Sequence, residues 1–348
     1  MKILIVKTSS MGDVIHLLAA LSDAGQQLND VTFDWVVEEG FAEIPAWHPL
    51  VNRVIPFALR RWRKKIIRSL CSKEFWQFWR ELRKTKYDAV VDAQGLIKSA
   101  AVTYFARGKK IGLDKKSLTE KLARLAYQKK LSVDMTQHAV WRMRHLLALA
   151  LNYEVPNTEP DYGLSRTQFK NLSQAHQPYI LFLHGTTWKT KCWPKYYWMR
   201  LAKLVISSNY KVVLPWYTLE EEERANAVAE QVVAAKVLPS LSLTQMAGVI
   251  AHAAAVVTVD TGLGHLSAAL NVPTVALYGS TDPNWIGIKG KTTVWLDSAF
   301  ECVHCDNRDC HYKKVAPVFP ACFSSVTPEL VWEKVKGIVI SNSLEDSK

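Results

Sequence analysis

Residues 256–283, VVTVDTGLGHLSAALNVPTVALYGSTDP, limit most strongly what this chain can fold into. They read as strand, polar turn, short helix and second strand. Val256-Val257-Thr258-Val259 is a β-branched run with apolar residues on both faces, the pattern of a strand buried inside a parallel sheet. Asp260, Thr261, Gly262 and Gly264 make the turn, His265 opens a helix through Ala269, and Asn271-Val272-Pro273 stops it. Thr274–Tyr278 is the next strand and runs into Gly279-Ser280-Thr281-Asp282-Pro283. Two parallel strands joined by a crossover helix need a sheet covered by helices on both faces, so the chain is an α/β protein.

A turn of this kind suits an anion. The N-terminus of a helix offers backbone N–H groups without intrahelical partners and the positive end of a dipole, and glycines let a diphosphate approach the backbone. Thr261 and His265 can add donors. The competing explanation is local: Asp260 or Thr261 caps the helix and Gly262 takes a positive φ. Two familiar phosphate motifs do not fit. A dinucleotide fingerprint needs a third glycine where Ser267 stands, and Gly290-Lys291-Thr292 has Trp285 where a P-loop has its first glycine. Neither NAD binding nor NTP hydrolysis is supported.

The same alternation runs through the rest of the chain. Short β-rich segments at residues 2–7, 31–37, 51–56 and 89–92 alternate with helical or loop sequence, and so do segments at 179–184, 211–215 and 235–238, with helices expected at 195–207 and 243–254. Thr8-Ser9-Ser10-Met11-Gly12-Asp13 follows the first strand and feeds a helix expected to begin near Val14. Ligands of open α/β sheets sit at the carboxyl ends of strands, which makes Asp13 a candidate for chemistry; its local alternative is helix capping. Asp92-Ala93-Gln94-Gly95 opens onto the same edge. The sequence YEVPNTEPDYGL interrupts the pattern and marks a linker. The expected organisation is a first Rossmann-like domain at 1–155, a linker at 156–164, a second Rossmann-like domain at 165–325, and a closing segment at 326–348 whose helix packs back across the domains. The two halves should enclose a cleft between their strand ends.

Charge separates the halves. Residues 1–150 hold 26 Lys and Arg against 14 Asp and Glu, and residues 151–348 hold 18 against 18, so the whole net charge of +12 lies in the first half. Such a field attracts a polyanion: nucleic acid, an anionic membrane face or a phosphorylated acceptor. Its densest part is Arg60-Arg61-Trp62-Arg63-Lys64-Lys65, followed by Arg68, Lys73 and Arg80 with Phe75, Trp76, Phe78 and Trp79 interleaved. These rings and cations suit single-stranded nucleic acid or a membrane interface, while their i,i+4 spacing also suits a helix core. No apolar run reaches eighteen residues and the opening residues do not read as a secretory signal, so a cytosolic chain with reduced cysteines is expected. Cys302, Cys305, Cys310 and Cys322 could hold a structural Zn²⁺ or remain free thiols, since their spacing is not that of paired C-x2-C ribbons.

Five motifs together resemble one known family: K-T-S-S-M-G-D at 7–13, D-W-V-V-E-E-G-F-A at 34–42, R-R-W-R-K at 60–64, D-A-Q-G-L-I-K-S-A at 92–100 and V-D-T-G-L-G-H-L at 259–266. In this order, over residues 1 to about 285, they are similar to the lipopolysaccharide heptosyltransferase I family. The resemblance implies a GT-B fold and inverting, metal-independent transfer of L-glycero-D-manno-heptose from ADP-heptose to the Kdo of Kdo-lipid A. It implies Asp13 as general base. It implies Thr186, Thr187 and Lys191 as phosphate and heptose contacts, Glu221 at the nucleoside, and the Leu241 main chain near adenine. Asp260, Thr261, Gly262 and His265 become the diphosphate-sugar loop, and Arg60, Arg61, Arg63 and Lys64 the site of the phosphorylated acceptor. A monomer at the cytoplasmic face of the inner membrane, on an anionic surface and without nucleic acid, is the implied setting. A heptosyltransferase acting one step later, or a basic nucleic-acid-binding protein, are the alternatives.

Overall fold

The computed structural model of the chain describes residues 1–170 and 177–345, the side chains of 342–345 excepted. Its contacts divide it into two units, Met1–Leu164 and Ser165–Lys348.

The first unit runs β1 (Lys2–Val6), α1 (Met11–Gln27), β2 (Thr32–Glu38), α2 (Glu43–Ala46), β3 (Val51–Phe57), α3 (Leu59–Lys64), α4 (Ile66–Leu70), α5 (Lys73–Lys84), β4 (Lys86–Asp92), α6 (Ile97–Phe105), β5 (Arg107–Leu113), β6 (Lys129–Leu131) and α7 (Ala139–Leu151). Its sheet is ordered β3-β2-β1-β4-β5-β6 and every pair is parallel. The second unit runs β7 (Tyr179–Leu183), α8 (Lys195–Ile206), β8 (Lys211–Leu214), α9 (Leu219–Glu230), β9 (Ala235–Val237), α10 (Leu243–Ala251), β10 (Ala255–Val259), α11 (Gly262–Ala269), β11 (Thr274–Tyr278), α12 (Pro283–Ile286), β12 (Thr293–Asp297) and α13 (Pro328–Glu345). Its parallel sheet is ordered β12-β11-β10-β7-β8-β9.

Each order is that of a doubly wound Rossmann sheet, and each reverses once: between β1 and β4 in the first unit, and between β7 and β10 in the second. At a reversal the crossover helices leave on opposite faces, so the turns after the two strands part and open a crevice. Those turns are 7–13 and 92–96 in the first unit, and 184–191 and 260–262 in the second.

β7 and β10 are covered along their whole length, and β1 and β4 are covered from Ile3 and Ala89 onward, where they approach the turns. Leu4, Val6, Val36 and Val90 pack with Phe57, Trp62, Phe78 and Leu82. Ile180, Phe182, Val257 and Val275 pack with Trp193, Trp198, Leu201 and Val335. Each such side chain contributes about 1.5–3 kcal/mol relative to an exposed one. Three strands escape the sequence pattern. β5 begins with four residues that include two lysines and an arginine, β6 is KKL, and the edge strand β12 is only partly buried.

The stretch expected as a linker is held by Arg144, which is fully buried on α7. Its guanidinium meets Asp23 of α1 at 2.6 and 3.0 Å and donates to the Pro156 and Thr158 carbonyls at 2.9 and 2.8 Å. α13 packs on α8 and against β10, β11 and β12.

Candidate active site

At the reversal of the first sheet, the turn after β1 is organised by the carboxylate of Asp13. The helix starts three residues before the expected Val14, with Ser10 as its N-cap and Asp13 as the third helical residue. Asp13 Oδ2 accepts from the Ser10 N–H at 2.9 Å and the Ser10 hydroxyl at 2.8 Å, while Oδ1 meets Lys7 Nζ at 3.4 Å. Lys7 is buried at the end of β1 and Asp13 is 43 % exposed, so the carboxylate keeps an open side. Desolvation pushes its pKa up, but the Lys7 ammonium, His16 and the two Ser10 hydrogen bonds outweigh that and hold it well below the ordinary carboxylate range. It is ionised at neutral pH.

The neighbouring turn after β4 braces this one. Gln94 Oε1 accepts from the Thr8 and Ser9 N–H groups at 3.2 and 3.1 Å, and Lys98 Nζ donates to Ser9 Oγ at 3.0 Å. Asp92, fully buried, accepts from the Gln94 and Gly95 N–H groups and from Tyr127 Oη at 2.7 Å. Gly95 has φ +71°, and a Cβ there would stand 2.7 Å from Leu118, which explains its glycine. Burial pushes the Lys98 ammonium down and the Glu38 carboxyl up. Lys7, Gln94 and Lys98 belong to motifs noted above, but nothing in their spacing says that they converge; only the β1–β4 pairing, Val6 beside Asp92, does.

The basic segment forms α3 and α4 at the end of β3. Its four candidate residues are not equivalent. Arg61 is spent on two carboxylates, Glu39 at 2.9 and 3.1 Å and Glu74 at 3.0 Å. Arg60 gives its backbone N–H to Glu38 at 3.1 Å and stands over the Phe41 ring at 5.4 Å. Arg63 and Lys64 are exposed. Trp62 faces inward, edge-on to Phe57, Phe75 and Phe78.

At the second reversal, Asp260 gathers the site. Its Oδ2 meets Lys191 Nζ at 2.6 Å and the Thr281 hydroxyl at 2.9 Å, its Oδ1 lies 3.9 Å from His265 Nε2, and its carbonyl accepts from Thr186 Oγ1 at 3.2 Å. Lys191 lies over the Trp188 ring at 4.4 Å and is mostly buried, so the loop can hold it only with its charge met. The sequence shows Thr281 only as part of G-S-T-D-P; the fold supplies its partner, Asp260. α11 begins at Gly262, earlier than the expected His265, and Gly262 is therefore its first helical residue and not a positive-φ turn residue. Thr261 is the N-cap, without a side-chain cap bond. Thr187 is exposed beside Thr186. Glu221 sits at the third position of α9, where it accepts from the Tyr217 and Thr218 N–H groups at 2.8 and 3.2 Å. A Cβ on Gly185 would fall 2.3 Å from Glu221 Oε1, so the glycine is what lets this carboxylate reach the strand-end turn. Leu241 is half-buried just before α10. Burial, reinforced by Arg224, lowers the His184 pKa to about 4 and keeps this ring neutral.

The cysteine-rich loop packs behind that turn. Thr190 donates its hydroxyl to the Asn307 carbonyl and its N–H to Arg308, while His304 and Asp306 N–H groups bond the Gly279 and Ser280 carbonyls. Cys302, Cys305, Cys310 and Cys322 are free thiols, and among the described residues no three His, Cys, Asp or Glu side chains are gathered as a metal site. Burial and the other three thiols push Cys322 up to about 12.

Comparison with known proteins adds the following. The family model described as glycosyltransferase family 9 (heptosyltransferase) matches residues 75–316. Lipopolysaccharide heptosyltransferase 1 of Pseudomonas aeruginosa is 46 % identical over 351 residues, covering 98 % of this chain and 99 % of that protein. Lipopolysaccharide heptosyltransferase 1 of Escherichia coli K12 is 49 % identical over 292 residues, covering 84 % of this chain and 92 % of that one. Among solved structures, E. coli heptosyltransferase WaaC with ADP superposes with a TM-score of 0.84 at 43 % identity, over 97 % of this chain and all of that one.

Proposed function

Because this chain belongs to glycosyltransferase family 9, the heptosyltransferases, we propose that it transfers L-glycero-D-manno-heptose from ADP-heptose to a Kdo residue of Kdo-lipid A in lipopolysaccharide inner-core synthesis, with inversion. The observation that carries this reading is the chemistry of the two strand-end turns: an ionised, half-open carboxylate at Asp13, and a charge-matched Lys191 beside the N-terminus of α11.

In this mechanism the acceptor hydroxyl oxygen bonds to the anomeric carbon as the bond from that carbon to the diphosphate oxygen breaks. The electron pair leaves with ADP and the hydroxyl proton passes to Asp13. A carboxylate is a weak base, but the alcohol becomes acidic only as the new C–O bond forms, so a group already ionised at neutral pH suffices. The leaving diphosphate needs positive charge placed in advance, which Lys191 and the first N–H groups of α11 supply, with the Thr187 hydroxyl and, on turning from the Asp260 carbonyl, the Thr186 hydroxyl as neutral donors. Asp260 would repel a phosphate; its roles are to aim Lys191 and, with Thr281, to accept from sugar hydroxyls. His265 adds a donor to the same loop, Thr261 and Gly262 supply its backbone, Glu221 accepts from the nucleoside, and the Leu241 main chain meets adenine. Arg60, Arg63 and Lys64 take the acceptor's phosphate, and Arg61 holds their loop to Glu39 and Glu74.

The acceptor is a lipid, which places the enzyme, read as a monomer, at the anionic cytoplasmic face of the inner membrane. The basic excess of the first half supports this, and no helix among the described residues is long and apolar enough to cross a bilayer. No metal takes part in the step; Zn²⁺ on the cysteine loop would be structural only.

Purified protein given ADP-heptose and Kdo-lipid A should release ADP and yield a product heavier by one heptose. Transfer only to an acceptor that already carries heptose would assign the chain to the later step. Tight oligonucleotide binding without transfer would favour the nucleic-acid alternative.

A further inference from the structure

The first unit carries an apolar surface that neither its core nor its strand-end turns use. α4 exposes Ile66, Ile67 and Leu70, with Ile67 at 83 %, and α5 exposes Trp76 at 63 %. Trp76 gives its indole N–H to the Leu70 carbonyl at 2.9 Å, so its one polar group is already met inside the protein. Beside these residues runs an apolar groove of about 260 Å³ whose walls include Ile66, Leu70, Phe75 and Trp79. Ring contacts continue the surface from Trp79 to Phe105 at 5.2 Å and from Phe105 to Tyr104 at 5.3 Å, and both of the latter are exposed at the end of α6. Contiguous exposed apolar surface of this kind marks a site of contact with something else.

The surroundings say what that is. Residues 60–84 hold ten Lys and Arg against two acids, Glu74 and Glu81, and both acids are paired already, with Arg61 and Arg53. α5 turns Phe78 and Leu82 to the core and sets Trp76, Arg80 and Arg83 on its outer side at helical spacing. Aliphatic and indole groups at the most exposed points, ringed by long cationic side chains, are the composition of a helix lying in a bilayer interface. Single-stranded nucleic acid would instead call for stacking rings where Ile66 and Ile67 stand.

We propose that α4 and the outer side of α5 dock on an anionic bilayer, with Ile66, Ile67, Leu70 and Trp76 entering the acyl boundary while Arg68, Arg80, Arg83 and Lys84 lie among lipid phosphates. This deepens the function proposed above and rests on its acceptor being a lipid. Docking this way brings the adjoining α3, with Arg60 and Arg63, to headgroup depth, where the acceptor's sugar and phosphate lie.

The full chain should co-sediment with vesicles rich in phosphatidylglycerol and not with pure phosphatidylcholine. Ile67→Asp should lower the partition coefficient about tenfold or more, given about 0.8 kcal/mol, or fourfold, per buried methylene. Arg80→Ala with Arg83→Ala should lower it roughly fivefold per charge. Each variant should keep its melting temperature and its transfer to a water-soluble, deacylated Kdo acceptor. Parent-like partition of both Ile67→Asp and Trp76→Ser would overturn the proposal, as would loss of tight oligonucleotide binding in them without change in vesicle binding. Absence of transfer to the soluble acceptor by the parent protein would instead overturn the functional reading and leave the vesicle result to stand alone.

Discussion

Replacing Asp13 with asparagine should slow heptosyl transfer by roughly 10²- to 10⁴-fold, the range for a lost general base, while ADP-heptose affinity changes little. The amide oxygen of asparagine can still accept from the Ser10 N–H and hydroxyl, now 2.9 and 2.8 Å from the carboxylate, so the first turn of α1 keeps its partner. What goes is the charge beside Lys7 at 3.4 Å; with Asp13 43 % exposed, solvent screens that pair to about 1 kcal/mol at most. Asp13→Ala removes the acceptor as well and should cost a further ~0.5–1.5 kcal/mol for the lost return bond of the capping box. The two variants should therefore share a turnover defect and differ in melting temperature. The pH dependence has a definite sign. The folded carboxyl sits below its ordinary value of 3.8, so its contribution to stability is complete above that pH and is lost as the pH falls below it, and no acid limb of kcat/KM near neutrality should belong to it. The assays are coupled ADP release over a pH series, donor titration by calorimetry, and thermal melts. Parent-like turnover in both variants, with only the melting temperature of Asp13→Ala reduced, would make Asp13 a helix-start residue and nothing more.

Activity should survive EDTA, because Lys191 and the start of α11 are assigned the charge that a metal would otherwise carry; transfer abolished by chelation and restored by Mg²⁺ would reject that assignment, and a fall in melting temperature alone would point to zinc at Cys302, Cys305, Cys310 and Cys322. Gly185→Ala must push Glu221 away from a Cβ only 2.3 Å from its oxygen, so KM for ADP-heptose should rise several-fold with the acceptor KM unchanged, read by initial rates against each substrate. Arg60→Ala with Arg63→Ala should raise the acceptor KM and flatten its salt dependence, since exposed charges act over about 8 Å at physiological ionic strength. Arg61→Ala, which frees Glu39 and Glu74, should shift stability by less than about 1 kcal/mol and move the acceptor KM less than the double variant does. Removing the buried guanidinium in Arg144→Ala leaves Asp23 buried without its partner and should cost about 3–5 kcal/mol in a denaturant melt of the first unit.

Much of this protein is legible in its sequence. β-branched runs such as Val256-Val257-Thr258-Val259, followed by a polar turn, a short helix and a second such run, read as strands of a helix-covered parallel sheet, and repeating that unit on either side of 156–164 foretells two doubly wound halves. Glycine and short polar residues after a strand mark the turns where such sheets bind ligands, which brought out Asp13 and Asp260. The strands β5, β6 and β12 were not legible, because a lysine-rich start, a three-residue length and a half-exposed edge leave no periodicity to read. What only the tertiary structure decided is which side chains meet. Gln94 and Lys98 brace the Asp13 turn because β4 pairs with β1, and Thr281 holds Asp260 because β11 pairs with β10. Arg61 is set apart from Arg60 and Arg63, its neighbours in one basic run, because Glu39 and Glu74 come from elements 22 and 13 residues away. Local sequence sets backbone preference and burial pattern, which act over a few residues; the pairing of charges and hydrogen-bonding groups across a sheet depends on strand order, which no local pattern contains.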